Sequence, residues 1–169
     1  MGSDFYTTQI LPYAGIIIKI CRAYTNNQED FEDYYQEVCL QIWRSHERFN
    51  HNCAWTTWIY KIALNVCLTY LKRQTHSPLT FTSDPLPEQV MSDIQSAQDE
   101  SVGYLYKAIH QLSEIDRALI LLYLEQQSNQ VIAEILGLTA NNIGVRISRI
   151  KHRLNKLLNN LETGHAQIH

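Results

Sequence analysis

The chain has little of what catalytic and metal sites are built from. Its four cysteines, Cys21, Cys39, Cys53 and Cys67, form no CxxC pair. Neither a disulfide framework nor a cysteine zinc site is indicated, and they read as small apolar side chains of a reduced, cytoplasmic protein. There is no P-loop, no glycine-rich phosphate loop and no nucleophile elbow. His46, His51 and Cys53 lie close together in sequence but lack a fourth ligand. His110 and His152 are single histidines in helical surroundings. No enzymatic activity, cofactor or metal is expected. No apolar run approaches the ~18–20 residues of a membrane span, Ile16-Ile17-Ile18 being far too short. The first residues lack the basic-then-apolar order of a secretory signal. No internal repeat is evident.

Positive charge is missing from one stretch and negative charge from another. Residues 76–100 carry five acids (Asp84, Glu88, Asp93, Asp99, Glu100) and no Lys or Arg, and three of the four prolines, Pro78, Pro85 and Pro87, fall there. No helical or strand period survives such a composition, which predicts an extended acidic linker. Residues 1–75 balance seven acids with seven bases, whereas 101–169 carry seven bases and five acids. From Ala140 to Leu158 there are five Lys or Arg and no acid. A net charge of −3 is unusual for a nucleic-acid binder, but this local basic face is the footprint one requires. The expected fold is therefore all-α: two helical domains, over 8–75 and 101–160, joined by a flexible acidic linker over 76–100.

The first domain predicts three or four helices. One falls around Leu11–Tyr24. Asn26-Asn27 breaks it, and a second begins near Gln28 with Glu29, Asp30, Glu32 and Asp33 in its first turns, where the helix dipole favours acids. Its apolar stripe is Phe31, Tyr35, Val38 and Ile42, opposite an exposed acidic face of Glu29, Glu32, Asp33, Gln36 and Glu37. After a polar turn at Asn50-His51-Asn52, a third helix runs from about Ala54 to Arg73. Trp55, Ile59, Ile62, Val66 and Tyr70 line its inner side, and Lys61, Asn65, Leu68 and Lys72 another. Aromatic rings beside basic and amide groups, here Arg48, Phe49, Trp55, Trp58, Lys61 and Asn65, suit unpaired bases. Trp55 reads as core; for Trp58 both core and base-stacking roles stand open.

The second domain contains Asn129-Gln-Val-Ile-Ala-Glu-Ile-Leu-Gly-Leu-Thr-Ala-Asn-Asn-Ile-Gly-Val-Arg146. Ala133, Gly137 and Ile143 give the small–glycine–aliphatic spacing of a helix-turn-helix, whose second helix enters the DNA major groove. Thr139 is the expected N-cap of that helix. Ile143, Ile147, Ile150, Leu154 and Leu157 form its buried stripe, with Asn142, Arg146, Arg149, Arg153 and Lys156 on an adjacent face. Arg grips phosphates or reads guanine, and Asn reads adenine. Without further context, a solvated basic helix in an ordinary hairpin has the same pattern.

Three segments in order carry a resemblance: Asp30-Phe-Glu-Asp-Tyr-Tyr-Gln-Glu-Val-Cys-Leu-Gln-Ile-Trp43, Trp55-Thr-Thr-Trp-Ile-Tyr-Lys-Ile-Ala-Leu-Asn65, and Leu112-Ser-Glu-Ile-Asp-Arg-Ala-Leu-Ile-Leu-Leu-Tyr-Leu-Glu125 leading into the helix-turn-helix. The chain resembles a bacterial RNA polymerase sigma factor of the extracytoplasmic-function group. The resemblance implies that Asp33, Gln36 and Glu37 dock on the clamp helices of the polymerase β′ subunit and that the C-terminal domain meets the β flap. It implies that Arg48, Trp58, Lys61 and Asn65 melt and hold the minus-ten element, and that Asn141, Asn142, Arg146, Arg149 and Arg153 read the minus-thirty-five element of promoter DNA. The linker would thread toward the RNA exit path, and control would fall to a separate anti-sigma factor. Thr69 and Gly144 stand where many relatives carry Asp and Lys, and Thr139-Ala-Asn-Asn142 replaces the commoner Pro-Glu-Gly-Thr. Gly144 costs roughly 1 kcal/mol of helix propensity and would permit close approach to the DNA backbone. Two other classes compete: a helix-turn-helix regulator that acts without being a polymerase subunit, and a polymerase-binding antagonist, which would not need its arginines aligned.

Overall fold

The computed structural model describes residues 2–74 and 100–166. The expected linker lies outside the described residues except Glu100, which opens a helix instead of closing the linker. Among the described residues there are helices and turns and no strand. Internal contacts divide the chain into two units, Met1–Ile94 and Gln95–His169.

The first unit begins with an irregular helical segment, Ser3–Phe5, then a π-turn Tyr6–Ile10 and a 3-10 turn Leu11–Tyr13. Pro12 has no N–H to donate to the preceding turn, so a regular ladder cannot run through it. Helix α1 (Ala14–Tyr24) follows and ends where Thr25 turns extended and its hydroxyl bonds back to the Cys21 carbonyl, at 2.8 Å. Helix α2 is Gln28–Ser45. Asn27 caps it twice over: its side-chain oxygen accepts from the Asp30 backbone N–H at 2.8 Å, and its amide donates to the Asp30 carboxylate at 2.8 Å. A 3-10 turn, His46–Arg48, leads to a loop and then to α3, Trp55–Gln74.

Helix α3 buries more than the one stripe read from its sequence: Ile59, Tyr60, Ala63, Leu64, Val66, Cys67 and Tyr70 are all buried. It packs against both α1 and α2 and so is covered on two sides. Periodicity shows a single apolar face only when a helix has one neighbouring layer. Ile17, Tyr34, Tyr35, Ile42 and Ile59 complete this core. Tyr34 meets Tyr70 edge-on, with centroids 5.1 Å apart. The four cysteines are free. Cys21, Cys39 and Cys67 lie buried in this core, and burial pushes both Cys21 and Cys39 above the usual thiol range.

The second unit comprises α4 (Glu100–His110), α5 (Glu114–Leu124), α6 (Asn129–Leu136) and α7 (Ile143–Ala166), the last preceded by a 3-10 turn over Ala140–Asn142. Ser113 and Ser128 cap α5 and α6 through their hydroxyls. The Arg117 guanidinium donates to the His110 and Leu112 carbonyls, at 2.7 and 3.1 Å, satisfying groups that the end of α4 leaves open. Gly137 terminates α6 in the left-handed region, φ +65°, and its N–H returns to the Ala133 carbonyl. Ile143, Ile147, Ile150 and Leu154 are buried as the spacing requires, against a core that includes Ile109, Leu119, Leu122 and Ile132. Two details differ from expectation. Ala133 is only half-buried, the deep contact coming from Ile132 beside it. Thr139 is extended but its side chain caps nothing, because the 3-10 turn after it delays the α-helix to Ile143.

Candidate nucleic-acid interfaces

On α7 the buried isoleucines fix which way the polar residues face. Asn141 and Asn142 lie in the 3-10 turn, and Arg146, Arg149 and Arg153 follow on the helix; all five are exposed. Asn142, Arg146, Arg149 and Arg153 share a shallow groove with Val145, Ile150 and Asp116. Asp116, in the first turn of α5, is a member the sequence reading missed. Its Oδ1 accepts from Arg146 Nε at 2.9 Å. Arg153 Nη2 donates to the Gln111 carbonyl at 3.3 Å, and Lys151 Nζ donates to the Tyr123 hydroxyl at 3.1 Å. Two of the basic residues offered to DNA are thus already tethered to the turn before α5 or to its start. A contact between positions 30 residues apart leaves no mark in local spacing. Gly144 is exposed, and a Cβ there would meet only the Asn129 amide, at 3.4 Å.

In the first unit, the loop before α3 brings four rings together. Phe49 lies 5.1 Å from Trp55 and 5.2 Å from Trp58, the two indoles are 4.7 Å apart, and His51 lies 4.5 Å from Phe49. His51 itself takes a left-handed conformation, φ +58°. Both tryptophans are half-buried. Trp55 is not plain core: its indole N–H donates to the Gln9 carbonyl at 3.1 Å, anchoring the N-terminal segment. Trp58 packs at a tilt against Trp55 and Phe49 and keeps part of its ring in solvent. Arg48 is exposed at the end of its 3-10 turn, Lys61 is half-buried, and Asn65 is exposed.

The acidic side of α2 is less exposed than the sequence suggested. Asp33, Gln36 and Glu37 are all half-buried. Glu37 accepts a 2.6 Å hydrogen bond from Gln41, and burial, with the Glu37 carboxylate nearby, pushes the Tyr70 hydroxyl up to about 12. The reason is α3: Glu37 and Gln41 form one wall of a groove whose other wall holds Asn65, Thr69, Tyr70 and Arg73. Glu37 and Asn65, expected to serve different partners, line the same groove.

This is the architecture of a helix-turn-helix DNA-binding protein with a second helical unit that carries aromatic, amide and acidic groups. Family models for sigma-70 region 2 and sigma-70 region 4 match residues 10–77 and 103–154. The chain belongs to the sigma-70 family, in its extracytoplasmic-function group. It is 27% identical over 147 residues to the ECF RNA polymerase sigma factor SigM of Mycobacterium tuberculosis, covering 86% of this chain and 73% of that one. To SigW of Bacillus subtilis it is 24% identical over 161 residues, covering 88% and 86%. Among solved structures, the sigma factor RpoE of Bartonella quintana, in complex with the anti-sigma factor NepR, shares the fold with a TM-score of 0.71 and 20% identity, covering 94% of this chain and 98% of that one. CnrH, in complex with the cytosolic domain of CnrY, matches with a TM-score of 0.67 and 16% identity, over 94% and 90%. The family role is promoter-specific transcription initiation as a regulatory subunit of RNA polymerase. Among the described residues, no helix is long and apolar enough to cross a membrane.

Proposed function

We propose that the chain joins core RNA polymerase through Asp33, Gln36 and Glu37 on the β′ clamp helices, with the C-terminal unit on the β flap. Arg48, Trp58, Lys61 and Asn65 open the minus-ten element and hold its bases, while Asn141, Asn142, Arg146, Arg149 and Arg153 read the minus-thirty-five element. Asn142 and Arg146 lie at the start of the reading helix and meet base edges; Arg149 and Arg153, further along, meet phosphates more. The observation that carries this reading is the half-exposed ring cluster of Phe49, Trp55 and Trp58 one helical stretch before the exposed Asn65. Rings with solvent-facing edges, followed on the same helix by an exposed amide, suit unstacked bases, and a duplex-only regulator has no use for them. The protein acts in the cytoplasm beside the polymerase. A separate anti-sigma protein holds it in check, by analogy with the complexes named for RpoE and CnrH.

The decisive experiment adds the chain to core polymerase on a promoter selected from genomic fragments. Specific starts, with permanganate-reactive thymines near minus ten, are expected. Binding of the free chain to duplex DNA without any stimulation of core enzyme would instead make it a conventional regulator.

A further inference from the structure

We infer that Asp116 is a positioning residue that sets the base preference of Arg146. The inference rests on the proposed reading in which Arg146 reaches base edges. Asp116 is the third residue of α5, and its backbone N–H is held by the Ser113 hydroxyl at 3.3 Å. Its carboxylate therefore springs from a fixed point, and its side chain is 19% exposed against 44% for Arg146. The bond between them joins Oδ1 to Nε, at 2.9 Å. The Nε–H is the donor on the flank of the guanidinium. Bidentate recognition of guanine uses two parallel N–H groups and can be made by the terminal nitrogens. A carboxylate on the flank fixes the plane of the fork and leaves the tip for a base. An arginine so held before binding gives up less rotamer freedom on contact.

The position of the charge argues the same way. Asp116 lies in a groove with Asn142, Arg146, Arg149 and Arg153. An acid there repels phosphates and weakens binding to every sequence alike. A carboxylate that only served the α5 dipole would not have to turn toward the arginine. Its cost in general affinity is offset if it sharpens discrimination at one base pair.

The two contributions have opposite signs, which makes the test specific. Holoenzyme is assembled from core polymerase and the full chain carrying Asp116→Ala, Asp116→Asn or Arg146→Ala. Each is measured on promoters varied one position at a time through the minus-thirty-five element, and on random duplex, at two salt concentrations. Asp116→Ala is expected to lose about tenfold discrimination at one base pair, the same one affected by Arg146→Ala, while binding random duplex more tightly. Asp116→Asn keeps an acceptor for Nε–H and is expected to retain most of the discrimination. If Asp116→Ala shifts every sequence equally, or alters a position that Arg146→Ala leaves alone, Asp116 does not position Arg146. If Arg146→Ala itself leaves the base preference intact, the underlying assignment of Arg146 to a base falls, and the positioning role with it.

Discussion

Replacing Gly137 with alanine should destabilise the C-terminal unit by about 1–2 kcal/mol, the cost of placing an L-residue in the left-handed region. The size of this effect follows from two facts. The residue sits at φ +65°, where a Cβ crowds its own backbone, and a Cβ built there meets nothing within 4 Å. The penalty is therefore purely conformational, with no steric clash added. For a unit of this size, 1 kcal/mol lowers the melting midpoint by roughly 4–8 °C. Gly137→Asn should cost less, since Asn tolerates this region, and Gly137→Val more, since a β-branched side chain does not. The chain offers a convenient internal control. All three tryptophans, Trp43, Trp55 and Trp58, belong to the N-terminal unit. Thermal melts followed by far-UV circular dichroism should show the C-terminal transition moving, while the tryptophan emission transition stays in place. A loss above ~3 kcal/mol for alanine would show that the helix-turn-helix angle leaves no room for a methyl group. Equal stability of the glycine and alanine proteins would show that the turn does not depend on a left-handed residue. Either result refutes the reasoning.

Three other outcomes are expected. Glu37→Lys should weaken co-purification with core polymerase through lost charge complementarity, while Glu37→Gln, which keeps a partner for Gln41, should retain most of it; normal assembly of Glu37→Lys would move the docking face elsewhere. Asn65→Ala should lower open-complex formation with a nearly unchanged melting midpoint, because Asn65 is exposed, whereas Trp58→Ala should lower both by removing the ring packed against Trp55 and Phe49; unchanged permanganate reactivity in both variants would remove them from the site. The N-terminal unit should lose stability in alkali. Tyr34, Tyr35, Tyr70, Cys21 and Cys39 are neutral when protonated, and burial raises the pKa of each. Their stability contribution is intact below about pH 8.5–10, where the unfolded thiols and phenols still hold their protons. It falls as pH climbs toward the folded Tyr70 value of about 12. Tryptophan emission between pH 8 and 12 checks this, and a flat midpoint across that range would contradict the burial of these groups.

The sequence was most informative where structure depends on neighbours in the chain. Asn27 before Gln28-Glu29-Asp30 announced the start of α2, and Ala133, Gly137 and Ile143 announced the helix-turn-helix, because caps, left-handed turns and helical stripes are set within a few residues. It was least informative where distant residues meet. Taken alone, α2 leaves Glu37 outside; only the packing of α3 turns it into a groove wall beside Tyr70. Asp116 carries no local signal of its role, because the arginine it holds lies 30 residues away. The place of Trp55 in the stripe points to the core, but its indole N–H answers to Gln9, 46 residues earlier. Thr139 was a reasonable cap by residue type, and the 3-10 turn that displaced it has no signature in composition.

The N-terminal segment has a consequence for synthesis on the ribosome. Tyr6 finds its hydroxyl partner at Tyr35, 3.0 Å away and 29 residues later, and the Gln9 carbonyl waits for Trp55, 46 residues later. At ~5–20 residues per second, several seconds pass between the appearance of Gln9 and that of its partner. Helices form on the microsecond scale, so α1 can coil and uncoil many times in that interval with the apolar side chains of Ile17 and Ile18, and of Ile10 before it, still unpaired. The unit closes only when α3 has emerged. A translational pause while α3 is still inside the ribosome would therefore prolong the aggregation-prone stage, whereas one placed once Gln74 has emerged would give the finished core time to set.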